Sequence, residues 1–228
     1  MTDRLRTFVR SIYTEILLRT RLGNYCLPRW RYNFTVPQLI FLCSCLDKTK
    51  EVPGSVVEVG CAIGSTTVFL NKYMDAENIE KDFFCLDTFV GFLDEHIEYE
   101  ARERGKSPEF YRTSIFQLNK KEWFDETMKL NEIKRVQSIQ VDASEFDFSK
   151  LGPISMCLLD VDLYVPTKKS LCVIYEVLHK DGILIVDDCD PDCQLWDGAW
   201  QAYREFMDQL NQPIHIVLDK LGIIKRSG

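Results

Sequence analysis

Four aspartates fall in two tight pairs late in the chain. Asp160 and Asp162 sit in Leu158-Leu159-Asp160-Val161-Asp162-Leu163-Tyr164, and Asp187 and Asp188 in Ile185-Val186-Asp187-Asp188. Each pair closes a short apolar run of the kind that forms a buried parallel strand. In a doubly wound sheet, neighbouring parallel strands end on one edge, where ligands bind, so four carboxylates converge on one crevice. Two unit charges about 4 Å apart repel by roughly 4 kcal/mol at an effective dielectric near 20, and several left unpaired would strain a marginally stable domain. A divalent cation resolves this, and oxygen donors without His or Cys favour Mg²⁺, with Mn²⁺ or Ca²⁺ as alternatives. The competing reading is a set of strand-end acids that never meet. With a cation present, a weak hydroxyl nucleophile becomes more reactive when a carboxylate base stands nearby. Asp160 and Asp162 are two residues apart, so regular strand geometry sends both to one face.

A second constellation lies earlier. Val56-Val57-Glu58-Val59-Gly60-Cys61-Ala62-Ile63-Gly64-Ser65-Thr66-Thr67 reads as a strand, a glycine turn and a helix start. Glycine permits the sharp turn and a close backbone approach to a ligand, and the helix start offers free N–H groups to an anionic group. A dinucleotide loop needs glycine at positions occupied here by Gly60, Ala62 and Ser65, so two of the three fail. The spacing Glu-x-Gly-x-x-x-Gly instead fits S-adenosylmethionine. In this reading Gly60, Gly64, Ser65 and Thr66 form the cradle, and Glu58 helps hold the ammonium end of the methionine moiety. Asp87, ending the next expected strand with Thr88 after it, is placed to accept hydrogen bonds from both ribose hydroxyls. Asp142, with Ala143 beside it, is placed to meet the adenine amino group, and Asp160 borders the cofactor from the far strand. The plainer alternative for Asp87 is a helix cap or a solvated strand end.

These residues need a scaffold to position them. From Gly54 onward, Ser55–Gly60, Asp82–Asp87, Val136–Asp142, Ile154–Asp160 and Ile183–Asp187 read as buried parallel strands. Ser65–Tyr73, Pro166–His179 and Trp196–Leu210 read as helices, and Ile214–Leu218 and Gly222–Lys225 as two strands around a tight turn. The alternation predicts an α/β fold, a doubly wound, Rossmann-like sheet of seven strands, in a single domain over residues 1–228. Residues 1–50 read as an N-terminal helical cap, with Leu5, Phe8, Val9, Ile12, Tyr13, Ile16 and Leu17 at helical spacing. Residues 92–133 interrupt the rhythm with dense charge and interleaved aromatics, the character of an active-site lid or of a helical decoration.

Bulk properties narrow the classes. A chain of 228 residues suits one sizeable α/β domain. The net charge of -7 argues against a nucleic-acid partner; Arg4, Arg6 and Arg10 read as one solvated helix face. Nine cysteines, an odd number, are scattered through apolar runs, the usage of reduced thiols rather than of a disulfide framework. Cys189 and Cys193 lack a second ligand pair for zinc. No signal peptide or membrane span is visible, so the expected setting is the cytoplasm, with no membrane partner.

Beyond these readings, Glu58-Val59-Gly60, Asp87-Thr88-Phe89-Val90-Gly91-Phe92, Asp160-Val161-Asp162-Leu163-Tyr164-Val165-Pro166-Thr167, Asp187-Asp188 and Trp196-Asp197-Gly198-Ala199 resemble the macrocin O-methyltransferase family. The motifs fall in order over roughly residues 35–225. Known members methylate sugar hydroxyls of macrolide and aminocoumarin antibiotics. The resemblance implies a class I S-adenosylmethionine-dependent fold ending in an antiparallel hairpin, Mg²⁺ (or Mn²⁺) held by Asp160, Asp187 and Asp188, Asp162 as general base, and a small-molecule hydroxyl acceptor. It also favours a homo-oligomer. The Tyr-Gly usual after the Asp-Asp pair is replaced by Cys189-Asp190-Pro191-Asp192-Cys193, so the acceptor is left open. Rival readings are a catechol-type O-methyltransferase and a non-catalytic S-adenosylmethionine-binding protein; a nicotinamide dehydrogenase is disfavoured by the loop spacing.

Overall fold

A computed structural model describes residues 3–20 and 32–226. The chain divides into two compact units, residues 1–33 and 34–228. The first contains helix α1 (Asp3–Leu18), with Phe8, Val9, Ile12, Tyr13 and Ile16 all exposed. The part of the expected N-terminal cap that falls on residues 21–31 lies outside the described residues, as do the side chains of Leu5, Arg4 and Arg6.

The second unit opens with α2 (Val36–Thr49). Thr35 caps it: its hydroxyl accepts from the Gln38 amide, while the Gln38 side chain accepts from the Thr35 amide at 2.7 Å, a reciprocal pair that satisfies two amides. Then come β1 (Ser55–Val59), α3 (Ser65–Ala76), β2 (Phe83–Asp87), α4 (Asp94–Arg104), α5 (Pro108–Arg112), α6 (Lys121–Leu130) and β3 (Val136–Gln140). After them follow β4 (Ile154–Leu159), α7 (Tyr164–Val177), β5 (Leu178–Val186), α8 (Asp197–Gln209), β6 (Ile216–Val217) and β7 (Leu221–Lys225). The strands form one seven-stranded sheet in the order β3-β2-β1-β4-β5-β7-β6. Strands β1 to β5 pair in parallel, and β7 runs antiparallel to both β5 and β6. The expected doubly wound sheet with a terminal hairpin is therefore what the chain forms.

Two boundaries differ from the sequence reading. Helix α7 starts at Tyr164 and stops at Val177, and β5 begins at once with Leu178. Pairing with β4 passes from Ile154↔Leu178 to Met156↔Ile183, so the polar segment His179–Gly182 bulges out of the ladder, which hides the strand start from an apolar-run argument. Within residues 92–133, α6 buries Phe124 and Met128 and packs on β3; it serves as the crossover from β2 to β3, leaving α4 and α5 as the inserted part.

Apolar strand residues such as Val57, Val59, Leu159, Leu184 and Val186 are buried with Leu171 and Ile174 of α7 and Tyr203 and Phe206 of α8. Consecutive strands step outward one way from β1 to β3 and the other way from β4 to β5. The crevice of such a sheet opens at the carboxyl ends of the two strands flanking that reversal, β1 and β4.

Candidate active site

Gly60 and Asp160 leave β1 and β4 at this reversal. The Asp160 amide donates to the Val59 carbonyl at 2.8 Å, and the Gly60 amide to that of Leu86 at 2.8 Å. Gly60 has φ +87°, and a Cβ there would collide with the Asp160 carbonyl. The glycine is thus required by the neighbouring strand's backbone as well as by any ligand. Gly64, also left-handed, precedes α3, whose first residues are Ser65, Thr66 and Thr67. The first-turn amides of a helix lack intrahelical acceptors, so the crevice is lined by donors suited to a carboxylate.

The acids on this side are already engaged. Asp87 accepts from the Ala62 amide at 2.8 Å through Oδ2 and from the Phe89 amide at 2.7 Å through Oδ1, tying the glycine turn to the end of β2. Burial raises its pKa. Thr88 donates to the Gly91 carbonyl at 2.6 Å. Glu58 is turned into the sheet, where it accepts from the Thr67 hydroxyl at 2.6 Å, and burial pushes its pKa up to about 8. Asp142 accepts from the amide and hydroxyl of Ser144, at 2.9 and 2.7 Å, capping the short turn that begins at the buried Ala143. Its other neighbour is His96 of α4, with Nε2 3.5 Å from Oδ2.

On the opposite side the carboxylates do meet. One oxygen from each of Asp160, Asp187 and Asp188 lies within 4.8 Å of the others. Asp162 faces Asp188 within hydrogen-bonding reach. Strand β4 ends before this point: the Leu163 amide donates to the Val161 carbonyl at 2.6 Å, and both Asp162 (φ +59°) and Asp188 (φ +56°) are left-handed. Strain of this kind in a non-glycine residue persists only where the surroundings enforce it. The enforcement here is visible. The Ala199 amide donates to the Asp162 carbonyl at 3.1 Å, and a Cβ on Gly198 would stand 2.6 Å from the Tyr164 nitrogen and 2.7 Å from the Asp162 oxygen. The Trp-Asp-Gly-Ala run therefore lets the start of α8 press against the turn that carries Asp162.

Burial and mutual repulsion raise the pKa values of Asp160 and Asp162 well above the usual carboxylate range. Asp187 is pushed up to about 6 by burial, opposed by the Lys220 ammonium. Asp187 Oδ1 is buried and has no hydrogen-bond partner. Native proteins rarely leave such an atom bare, and an all-oxygen donor set around it fits a hard divalent cation.

Three features were missed in the sequence. Lys220 donates to Asp187 Oδ2 at 2.6 Å and to Asp188 Oδ1 at 3.3 Å. The buried Glu100 of α4 accepts from the Tyr164 amide, just past Asp162, at 2.7 Å, and from Arg104 at 2.7 Å, while Arg104 also binds Asp197. Trp196 is surrounded by Phe92, Phe110, Tyr111 and Phe116, at centroid distances of 4.9 to 6.2 Å, giving an apolar wall beside the Asp162 turn. Of these, the sequence showed only the aromatic richness of the insertion and the Trp196-Asp197-Gly198-Ala199 run.

Residues 39–226 match the model of the Macrocin-O-methyltransferase (TylF) family. No match was found among curated proteins. Among solved structures, the O-methyltransferase NovP is similar with a TM-score of 0.71 and 17% identity, over 85% of this chain and 81% of that one. The calicheamicin methyltransferase CalS11 is similar with a TM-score of 0.68 and 18% identity, over 99% of this chain and 94% of that one. An apo structure of the same enzyme, with a TM-score of 0.58 and 17% identity over 99% and 96% of the two chains, describes it as a TDP-rhamnose 3'-O-methyltransferase. At these identities the likeness shows the fold.

Proposed function

Because the chain belongs to the macrocin O-methyltransferase family, we propose that it transfers a methyl group from S-adenosylmethionine to a sugar hydroxyl of a small molecule. The observation that carries this reading is the Asp160–Asp187–Asp188 cluster, with Asp162 beside it, on the same sheet edge as the glycine turn. The CalS11 likeness supports a sugar-type acceptor, and the tilted and edge-on rings around Trp196 offer an apolar surface beside which a ring can lie.

S-adenosylmethionine, when bound, supplies an electrophilic sulfonium methyl. Gly60, Gly64 and the first-turn amides at Ser65 and Thr66 receive its methionine carboxylate. In this reading Asp87 would accept from the ribose hydroxyls and Asp142, beside Ala143, from the adenine amino group, each carboxylate oxygen having a second lone pair beyond its present contacts. Asp160, Asp187 and Asp188 would hold Mg²⁺ or Mn²⁺, which would supply Lewis acidity that lowers the pKa of an alcohol and so eases loss of its proton. Asp162 takes the hydroxyl proton as the oxygen attacks. The enforced turn at Asp162 fixes where that proton goes, and the aromatic wall limits water at the reacting oxygen.

The cysteines described are all free, and most are buried, which supports a reducing compartment such as the cytoplasm. No described helix is long and apolar enough to cross a membrane. The deciding measurement is calorimetric titration with S-adenosylmethionine and with NAD. Binding of the first alone is expected, and it should weaken in Asp87→Ala. Binding of NAD alone would replace this reading with that of a dehydrogenase.

A further inference from the structure

Lys220 lies far along the chain from the acids it meets, and three independent contacts fix it there. Its carbonyl accepts from the Cys189 amide at 2.7 Å, fastening the β6–β7 turn to the segment that follows Asp188. The Gln38 side chain donates to the Leu218 carbonyl at 3.0 Å, holding the other end of the turn. The ring of the buried Phe34 lies under the ammonium, 4.9 Å from it, a favourable cation–π distance. Leu218 (φ +50°) and Asp219 (φ +72°) are both left-handed, so the turn is bent to deliver the lysine. The ammonium takes Asp187 Oδ2 and reaches Asp188 Oδ1, and leaves Asp187 Oδ1 bare.

We propose that Lys220 is the resident counter-charge of the carboxylate cluster: it holds Asp187 and Asp188 in place before a divalent cation arrives and limits how tightly that cation binds. This rests on the metal-centre reading above. Asp160, Asp187 and Asp188 with Asp162 beside them bring four negative charges when all are ionised; one ammonium leaves three, of which a dication offsets two. An ammonium hydrogen-bonded to a carboxylate that also ligates a cation stands close to that cation and repels it. Buried ionic groups lose little of such repulsion to screening. The fixed charge keeps the acids from flying apart in the cation-free protein, and it keeps the cation exchangeable.

The test compares native protein with K220M and K220R, following melting temperature and calorimetric binding of Mn²⁺ or Mg²⁺, so that no acceptor or turnover is needed. K220M removes the charge at similar volume, and K220R keeps it. The expected result is a lower melting temperature for cation-free K220M, restored by the dication, with binding about 10- to 100-fold tighter than in native protein; K220R should stay near native. If K220M does not fold without a dication, its recovery with one supports the proposal, and failure to recover overturns it. Unchanged or weaker binding in folded K220M overturns the proposal while leaving the metal centre standing. Binding to K220M but not to native protein would mean that Lys220 is the cluster's sole cation, which sinks the metal reading and with it the proposal. No binding to either protein sinks both.

Discussion

At the scale of single residues, separating base from ligand is the sharpest question, and Asp162 answers it differently from what strand alternation implies. Its left-handed backbone turns it toward Asp188, whereas Asp160 stands in the three-oxygen cluster. Asp162→Asn should therefore slow the chemical step by about 10²–10⁴-fold, the usual range for a positioned base, and change Mg²⁺ affinity far less than Asp160→Asn does. Turnover and Mg²⁺ titration on the two variants decide it; equal losses of affinity would make Asp162 a fourth ligand. Glu58 carries a different consequence. Its pKa rises from 4.5 to about 8 through burial, so the folded chain keeps its proton to higher pH than the unfolded chain does. The stability that depends on this proton is complete below about pH 4.5 and is lost as the pH climbs to about 8. Glu58→Gln cannot ionise, so its melting temperature relative to native protein should rise steadily across that window, and a pH-independent difference would show that Glu58 does not titrate there. The aspartates were legible because each ends an apolar run, a signal carried by adjacent residues. Lys220 was not, because it meets Asp187 across a separation of 33 positions, and no local pattern marks a lysine that a hairpin carries inward.

At the scale of elements, the insertion shows where charge density misleads. The acidic and basic residues of 92–133 suggested either a mobile lid or a solvated decoration. The charges that matter in α4 face inward: Glu100 and Arg104 are 1% and 6% exposed at their side chains and pair at 2.7 Å, and Arg104 continues to Asp197 at the start of α8. Ile97 and Tyr111 are buried with Leu163, next to Asp162. Helical spacing places Glu100 and Arg104 on one face but cannot say which face is buried. The exposed apolar residues lie further on, with Ile115 80% and Leu118 75% exposed. If part of this insertion closes over ligands, it should be residues 113–120. Hydrogen exchange should find the α4 amides protected in the free protein and those of 113–120 fast, with the latter slowing when cofactor and acceptor bind. In Glu100→Ala the buried Arg104 loses one of its three partners, keeping only Asp197 and Gln201; breaking a buried pair typically costs about 3–5 kcal/mol, and α4 should then exchange as fast as its neighbour. Fast exchange of α4 in native protein would restore the whole insertion as the moving part.

At the scale of the whole molecule, the doubly wound sheet and its two closing strands were legible, because alternation of apolar runs and amphipathic stretches leaves few other arrangements; which strands flank the reversal was not. Less legible was how the two constellations divide the crevice. The glycine turn, Asp87 and Asp142 belong to β1, β2 and β3, on one side of the reversal. Asp160, Asp162, Asp187, Asp188 and Lys220 belong to β4, β5 and the β6–β7 turn, on the other. The halves touch through the Gly60–Asp160 backbone contact, and none of the hydrogen bonds to Asp87, Glu58 or Asp142 comes from a residue of the carboxylate cluster. Cofactor binding and cation binding should then be nearly independent. A ligand at about 100 times its dissociation constant stabilises the native state by roughly 2.7 kcal/mol, a shift easily read in a thermal melt. With S-adenosylmethionine at that excess, the rise in melting temperature should be the same in excess Mg²⁺ and in excess chelator. Methyl transfer to any accepted alcohol should be present in the first condition and abolished in the second. Transfer that survives chelation would make the carboxylate cluster structural and remove the cation from the reaction. A cofactor shift that disappears with chelation would instead mean that Asp160, which stands at the boundary, couples the halves through the backbone of Gly60.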